Sequence, residues 1–324
     1  MTESEIPREA KSGKPLILRP GKTKPEPYLR ASSAYKLIED AYGLTMWKIN
    51  RVGYMVATDE RLREEWAKLD PDDKSNFWPL KDLQDKTLNR WRGQTGGGGT
   101  KAAARGTRFH AITDKSDTLD VFDVPEEWAD DLQIYNEALE RAGISIIASE
   151  RFVVDDELGF GGTLDKLLHT DLLTPDGEPA GNVVGDLKTG KIKDKDLEFG
   201  MQMAVYANSV FYSAADGSRT PLPNVNKKWA LLIHVPLGKN EVTLVWVDIE
   251  RCYEAVKAGI AVKNARAMKG LSTVAMVITG PTLAEKVEAA ASKEEINMLY
   301  KLNKAAWDDE IKAIVERKRQ EWDG

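Results

Sequence analysis

From Ser32 the apolar residues of SSAYKLIEDAYGLTMWKINRVGYMVA recur at helical spacing behind a serine placed to cap the first turn. DDKSNFWPLKDLQDKTLNRWRGQ is partly helical in the same way. TKAAARGTRFHAITDKSD is alanine-rich and helix-favouring, and PEEWADDLQIYNEALERAG has proline at a first turn and glycine at its end. The period then changes. ISIIASERFVV, GFGGTLDKLLHT and NVVGDLK are short, apolar or β-branched runs, the last two parted by the turn formers TPDGEPAG, and predict three successive strands. DLEFGMQMAVYANSVFYSA returns to helical spacing, KKWALLIHVPL and EVTLVWVDI predict a hairpin around GKN, and a long helix follows from about Glu250. The tail from Thr282 is strongly helix-forming and carries both charge signs.

This pattern predicts an α/β fold with a central mixed sheet flanked by helices and helical additions at both ends. The segments expected are a flexible, basic, proline-rich arm over 1–30, a helical region over 31–95, a core over 100–270 and a helical region over 271–324. The arm is read from Pro7, Pro15, Pro20, Pro25 and Pro27 among scattered lysines and arginines, with little apolar period. Gly96 to Gly99 predict a loop, either a plain linker or a joint that lets the N-terminal helices close over a substrate.

Composition narrows the chemistry only slightly. With 324 residues, 42% of them hydrophobic, the chain can bury a large core. A net charge of −6 argues against a uniformly basic nucleic-acid coat but leaves room for a local basic groove. One cysteine, Cys252, excludes an internal disulfide and an all-cysteine metal site within the chain, and fits a reducing cytoplasm. The longest apolar runs fall short of a bilayer span, so no membrane step is expected.

The candidate chemistry lies in the strands. Alternation turns Asp165 away from Leu164 and Lys166, and puts Asp186 and Lys188 on one face. Two buried carboxylates repel, and one lysine offsets only part of their charge, which calls for a divalent cation. Hard oxygen ligands favour magnesium or manganese, whose usual work beside carboxylates is on phosphate esters. Lys188 would orient or help deprotonate the attacking water, or stabilise charge on the phosphate.

These residues resemble the motifs of the PD-(D/E)xK nucleases, in the RecB-like exonuclease branch that includes CRISPR-associated members. RGTRFH, with Gly106 and His110, resembles the branch's histidine motif; GTLD, ending at Asp165, its G-x-x-D motif; GDLKTGK its acidic-x-lysine motif; QMAVY, with Gln202 and Tyr206, its Q-x-x-x-Y motif. The resemblance spans roughly 101–266. It implies a restriction-endonuclease-like core, with His110, Asp165 and Asp186 as ligands for Mg2+ or Mn2+, joined by Glu150 on the preceding strand. Lys188, Gln202 and Tyr206 complete the implied catalytic set. Several members of the branch hold an iron–sulfur cluster on four cysteines, and the lone Cys252 implies its absence here.

The implied function is a Mg2+-dependent DNA exonuclease leaving 5′-phosphates, in phage or bacterial recombination, replication or repair, located in the cytoplasm (the host's, if phage-encoded). The alternatives are an endonuclease with the same site and a catalytically silent DNA-binding accessory protein. A single-strand-annealing or strand-exchange recombinase is the partner such nucleases often have, and the chain lacks a Walker-type phosphate loop of its own. Lys191, Lys193 and Lys195, with Arg105 and Arg108, are candidate contacts to the DNA backbone; the lysines are otherwise a solvated turn. Trp47, Trp66, Trp78 and Trp91 either pack in a core or stack on unpaired bases. His169 and His234 lack any ligand spacing and are expected to be structural.

Overall fold

The structure is a computed structural model that describes residues 6–94, 98–119, 122–274, 276 and 280–323. It divides into two compact units, Met1–Ala267 and Met268–Gly324. The first begins with three short strands, β1 (Leu16–Ile17), β2 (Glu26–Pro27) and β3 (Leu29–Arg30), followed by a 3-10 turn over Ala31–Leu37. Helices α1 (Tyr42–Thr58), α2 (Glu60–Ala67), α3 (Phe77–Gln94), α4 (Gly98–Thr118) and α5 (Ala129–Arg141) come next. Then follow β4 (Ser145–Asp155), β5 (Phe160–Leu173), β6 (Pro179–Lys188), α6 (Asp196–Ala207), β7 (Val210–Tyr212), β8 (Arg219–Pro221), β9 (Trp229–His234), β10 (Thr243–Asp248) and α7 (Ile249–Arg266).

Among the described residues the main sheet has the order β10-β9-β6-β5-β4-β7-β8, with β3 added in parallel against β5. β6 and β9 are also parallel, and the other neighbours are antiparallel, so the sheet is mixed. Alternation along the central strands sends residues into two cores. Val184, Ala230 and Leu232 join Met201 and Val205 of α6 and Val256 of α7, while Val183, Leu187, Leu231 and Ile233 join Phe109 of α4 and Leu132 and Tyr135 of α5. Burial on both faces explains why these strands read as continuous apolar runs. Each buried leucine or isoleucine contributes about 1.5–3 kcal/mol.

Several expectations change. The proline-rich arm is packed from Ile6 onward: Ile17 and Tyr28 are fully buried against Phe152 and Val154, and Leu29–Arg30 pair with Phe160–Gly161. Its prolines interrupt periodicity without preventing docking, because β3 is held by backbone bonds to the edge of β5. Ser32 lies inside a 3-10 turn whose N-cap position is Arg30, and α1 starts afresh at Tyr42, whose N–H donates to the Asp40 carboxylate over 2.9 Å. Gly98 and Gly99, expected in a loop, open α4, while Gly96 and Gly97 lie outside the described residues. Helix α6 stops at Ala207, and Val210–Tyr212 form a strand whose Val210 and Phe211 pair with β4, as their β-branched and aromatic side chains favour.

Three of the four tryptophans in question pack inside the N-terminal helices. Trp47 and Trp91 meet edge to face at 5.3 Å with Arg51 over both rings, and the Trp66 indole donates to Thr87 over 3.2 Å. Trp78 is exposed beside Phe77.

The second unit has helices α8 (Leu283–Ala289), α9 (Lys293–Leu302) and α10 (Asp309–Asp323) around Val287, Ile296, Ile311 and Val315. Thr282 and Glu285 form a reciprocal capping box and Ser292 caps α9, which accounts for two of its helix starts.

Candidate metal centre

Strand register builds the site. Ser149 pairs with Lys166 and Arg151 with Leu164, so Glu150 stands level with Asp165. Lys166 pairs with Gly185, and one step further along brings Asp186 level with Asp165. The β5–β6 pairing ends at that point, whereas β6 continues against β9 as far as Lys188 opposite His234. Three acidic residues therefore form a row across β4, β5 and β6 where the sheet forks.

Helix α4 completes the row. His110 Nδ1 lies 3.6 Å from Asp165 Oδ2, and one ligand atom from each of His110, Glu150 and Asp165 lies within 4.8 Å of the others. Glu150 has φ +48°, a left-handed conformation that costs about 1–3 kcal/mol in a non-glycine residue and is typical of functional positions. Asp186 adjoins this group. It is 1% exposed, touches the Lys188 ammonium, and accepts a 3.4 Å hydrogen bond from Gln202 Nε2 at Oδ1. Gln202 also donates to the Tyr206 hydroxyl over 3.3 Å.

The electrostatics follow from burial. Desolvation, and then the nearby Asp165 charge, raise the Asp186 carboxyl to about 7 despite Lys188. Burial works against the Lys188 ammonium, but the Asp186 and Asp165 carboxylates outweigh it and leave its pKa above the ordinary lysine value. Burial and then the Lys188 charge push His110 down to about 4, so its imidazole is neutral at pH 7 and available as a ligand. Asp186 Oδ2 is buried and accepts no well-directed hydrogen bond although the ammonium touches it. Two half-buried carboxylates and a neutral imidazole, with the Asp186 carboxylate adjoining, fit a hard divalent cation such as Mg2+ or Mn2+.

Two motif glycines have a steric reason. A Cβ on Gly106 would stand 2.7 Å from Thr189 Oγ1, so glycine spares α4 a clash with the Thr189 side chain on the turn after Lys188. A Cβ on Gly162 would meet the Tyr206 ring at 3.1 Å.

Beside the row lies a cleft of about 850 Å³, lined by Arg105, His110, Glu150, Lys188, Lys191 and Lys195 among others. Arg108 and Lys193 are exposed but do not line it. His234 and His169 make structural bonds: His234 Nε2 is 2.9 Å from the Gly190 carbonyl, which steadies the turn after Lys188, and His169 Nδ1 is 2.9 Å from Asn182 Oδ1.

Sequence reasoning missed the support behind the row. Asp114 accepts from the Ser149 hydroxyl, and Asp117 is ion-paired with Lys166. The one available signal was the spacing of His110, Asp114 and Asp117 along one helical stripe. Among the described residues no helix is long and apolar enough to cross a membrane. No family profile matches the chain, and no curated protein matches it.

Proposed function

We propose that this protein is a divalent-metal-dependent deoxyribonuclease of the PD-(D/E)xK kind, with a restriction-endonuclease-like core, acting on DNA ends as an exonuclease. The observation that carries this reading is the row Glu150, Asp165 and Asp186 across three adjacent strands, met by His110 and flanked by Lys188. A purely structural role would leave three carboxylates in a row with the Lys188 ammonium offsetting only part of their charge, which is costly.

Glu150, Asp165 and His110 would hold Mg2+ or Mn2+, with Asp186 adjoining. When bound, such an ion supplies Lewis acidity toward a phosphoryl oxygen and lowers the pKa of water. Lys188, held by Asp186, presents a charged donor to the developing negative charge on phosphorus. Gln202 and Tyr206 keep the Asp186 carboxylate oriented. Arg105, Lys191 and Lys195 at the cleft offer contacts to the DNA backbone. In the reaction, water adds to phosphorus as the bond to the 3′ oxygen breaks, leaving a 5′-phosphate and a 3′-hydroxyl.

The test uses purified protein, Mg2+ and DNA labelled at either end. Asp186→Ala and Lys188→Ala are expected to abolish degradation while retaining the far-UV spectrum of the wild type. Undiminished cleavage by both variants would overturn the proposal. Covalently closed circles should survive intact, and their cutting would replace the exonuclease reading with an endonuclease that has the same site.

A further inference from the structure

We infer that the buried Asp117–Lys166 ion pair, together with the Asp114–Ser149 hydrogen bond, is a clamp that positions His110 against Glu150 and Asp165 and thereby sets metal affinity. The inference rests on the metal reading above and goes beyond it, since none of these four residues belongs to the proposed ligand set.

The geometry is specific. His110, Asp114 and Asp117 are spaced i, i+4 and i+7 on α4, which puts them on one stripe of the helix. Their partners Ser149 and Lys166 face each other as a registered pair across β4 and β5. Ser149 immediately precedes Glu150, and Lys166 immediately follows Asp165. Each carboxylate of the triad is therefore one residue from a strand position tied to the helix that carries the histidine. The Ser149 hydroxyl also lies 3.3 Å from the backbone carbonyl of Asp165.

The clamp is closed to solvent. The Lys166 and Asp117 side chains are 3% and 2% exposed, and Tyr135 from α5, fully buried, donates its hydroxyl to Asp117 over 3.1 Å. The ammonium also sits 5.7 Å from the Tyr135 ring centroid. A buried ion pair is seldom more stabilising than apolar residues of the same volume, so stability gives little reason to keep one in this place. Fixing α4 to the strand pair does, because a centre whose ligands come from three elements holds its ion only as well as their spacing is held.

Mn2+ affinity by calorimetry and the unfolding midpoint separate positioning from mere support. The proteins compared are the wild type, Asp117→Asn, Lys166→Met, the double variant and Ser149→Ala. Asp117→Asn and Lys166→Met each leave a buried charge unpaired and should lose both stability and at least tenfold in affinity. The double variant buries no unpaired charge, so its midpoint should return close to that of the wild type while its Mn2+ affinity stays at least tenfold weaker. Ser149→Ala should fold normally and bind Mn2+ severalfold more weakly. Recovery of affinity together with stability in the double variant would overturn the clamp and leave the metal reading intact. Failure of the wild type to bind Mn2+ at all would overturn the metal reading, and the clamp with it.

Discussion

Asp186→Asn should make the metal-free protein more stable while destroying its function. The Asp186 carboxyl moves from an ordinary value of 3.8 to about 7, mainly through burial and the Asp165 charge. The folded state holds this proton more tightly than the unfolded chain, so its stabilising effect is complete below pH 3.8 and is lost as the pH rises to 7. At about 1.4 kcal/mol per pH unit the carboxylate costs about 4 kcal/mol of stability above pH 7, and less than half of that at pH 5. Asparagine removes that penalty, which is already net of the Lys188 attraction, but its amide does not reproduce the bonds of the protonated carboxyl, an offset of about 1–3 kcal/mol. The net expectation in EDTA at pH 8 is a gain of about 1–3 kcal/mol, shrinking to rough parity at pH 5. Urea unfolding at both pH values measures it. A variant that is less stable than the wild type at pH 8, or whose advantage is the same at pH 5, would refute the argument from burial and repulsion.

Metal affinity should itself depend on pH: a cation beside Asp186 favours its ionised form, so Mn2+ binding should weaken as the pH falls below about 7 and level off above it, as read by calorimetry. Gly106→Ala, which brings a Cβ to 2.7 Å from Thr189 Oγ1, should cost about 1–3 kcal/mol, and Thr189→Ala in that background should restore most of the unfolding midpoint. Removing Arg105, Lys191 and Lys195 together should lower the slope of log affinity against log salt for duplex DNA by about 0.9 per lost phosphate contact, measured by fluorescence anisotropy.

The sequence made some of this legible and hid the rest for physical reasons. The central strands announced themselves because Val183, Val184, Leu187, Leu231 and Ile233 are buried on both faces and read as apolar runs. Asp165, Asp186 and Lys188 stood out as charges within such runs, and Asp186 and Lys188 share a face and touch, as strand alternation predicts. The docking of the arm was hidden because β3 is two residues long, too short for any period, and its partner Phe160 is 131 positions from Leu29. Glu150 could be placed on its strand, but its backbone at φ +48° leaves no trace in residue type, since glutamate rarely adopts it. Asp114 and Asp117 looked like ordinary polar positions of a helix, because their partners Ser149 and Lys166 lie 35 and 49 residues away. The strand Val210–Tyr212 was absorbed into the preceding helix because Phe211 and Tyr212 continue its apolar spacing past Asn208.

On the function proposed above, His110, Glu150 and Asp165 hold a divalent cation beside Asp186 and Lys188. The most direct measurement is anomalous diffraction from crystals grown with Mn2+. A manganese peak is expected between the His110 imidazole and the Glu150 and Asp165 carboxylates, and should be lost in Asp165→Asn crystals grown the same way. Manganese bound elsewhere on the chain, with no peak between these three side chains, would contradict it.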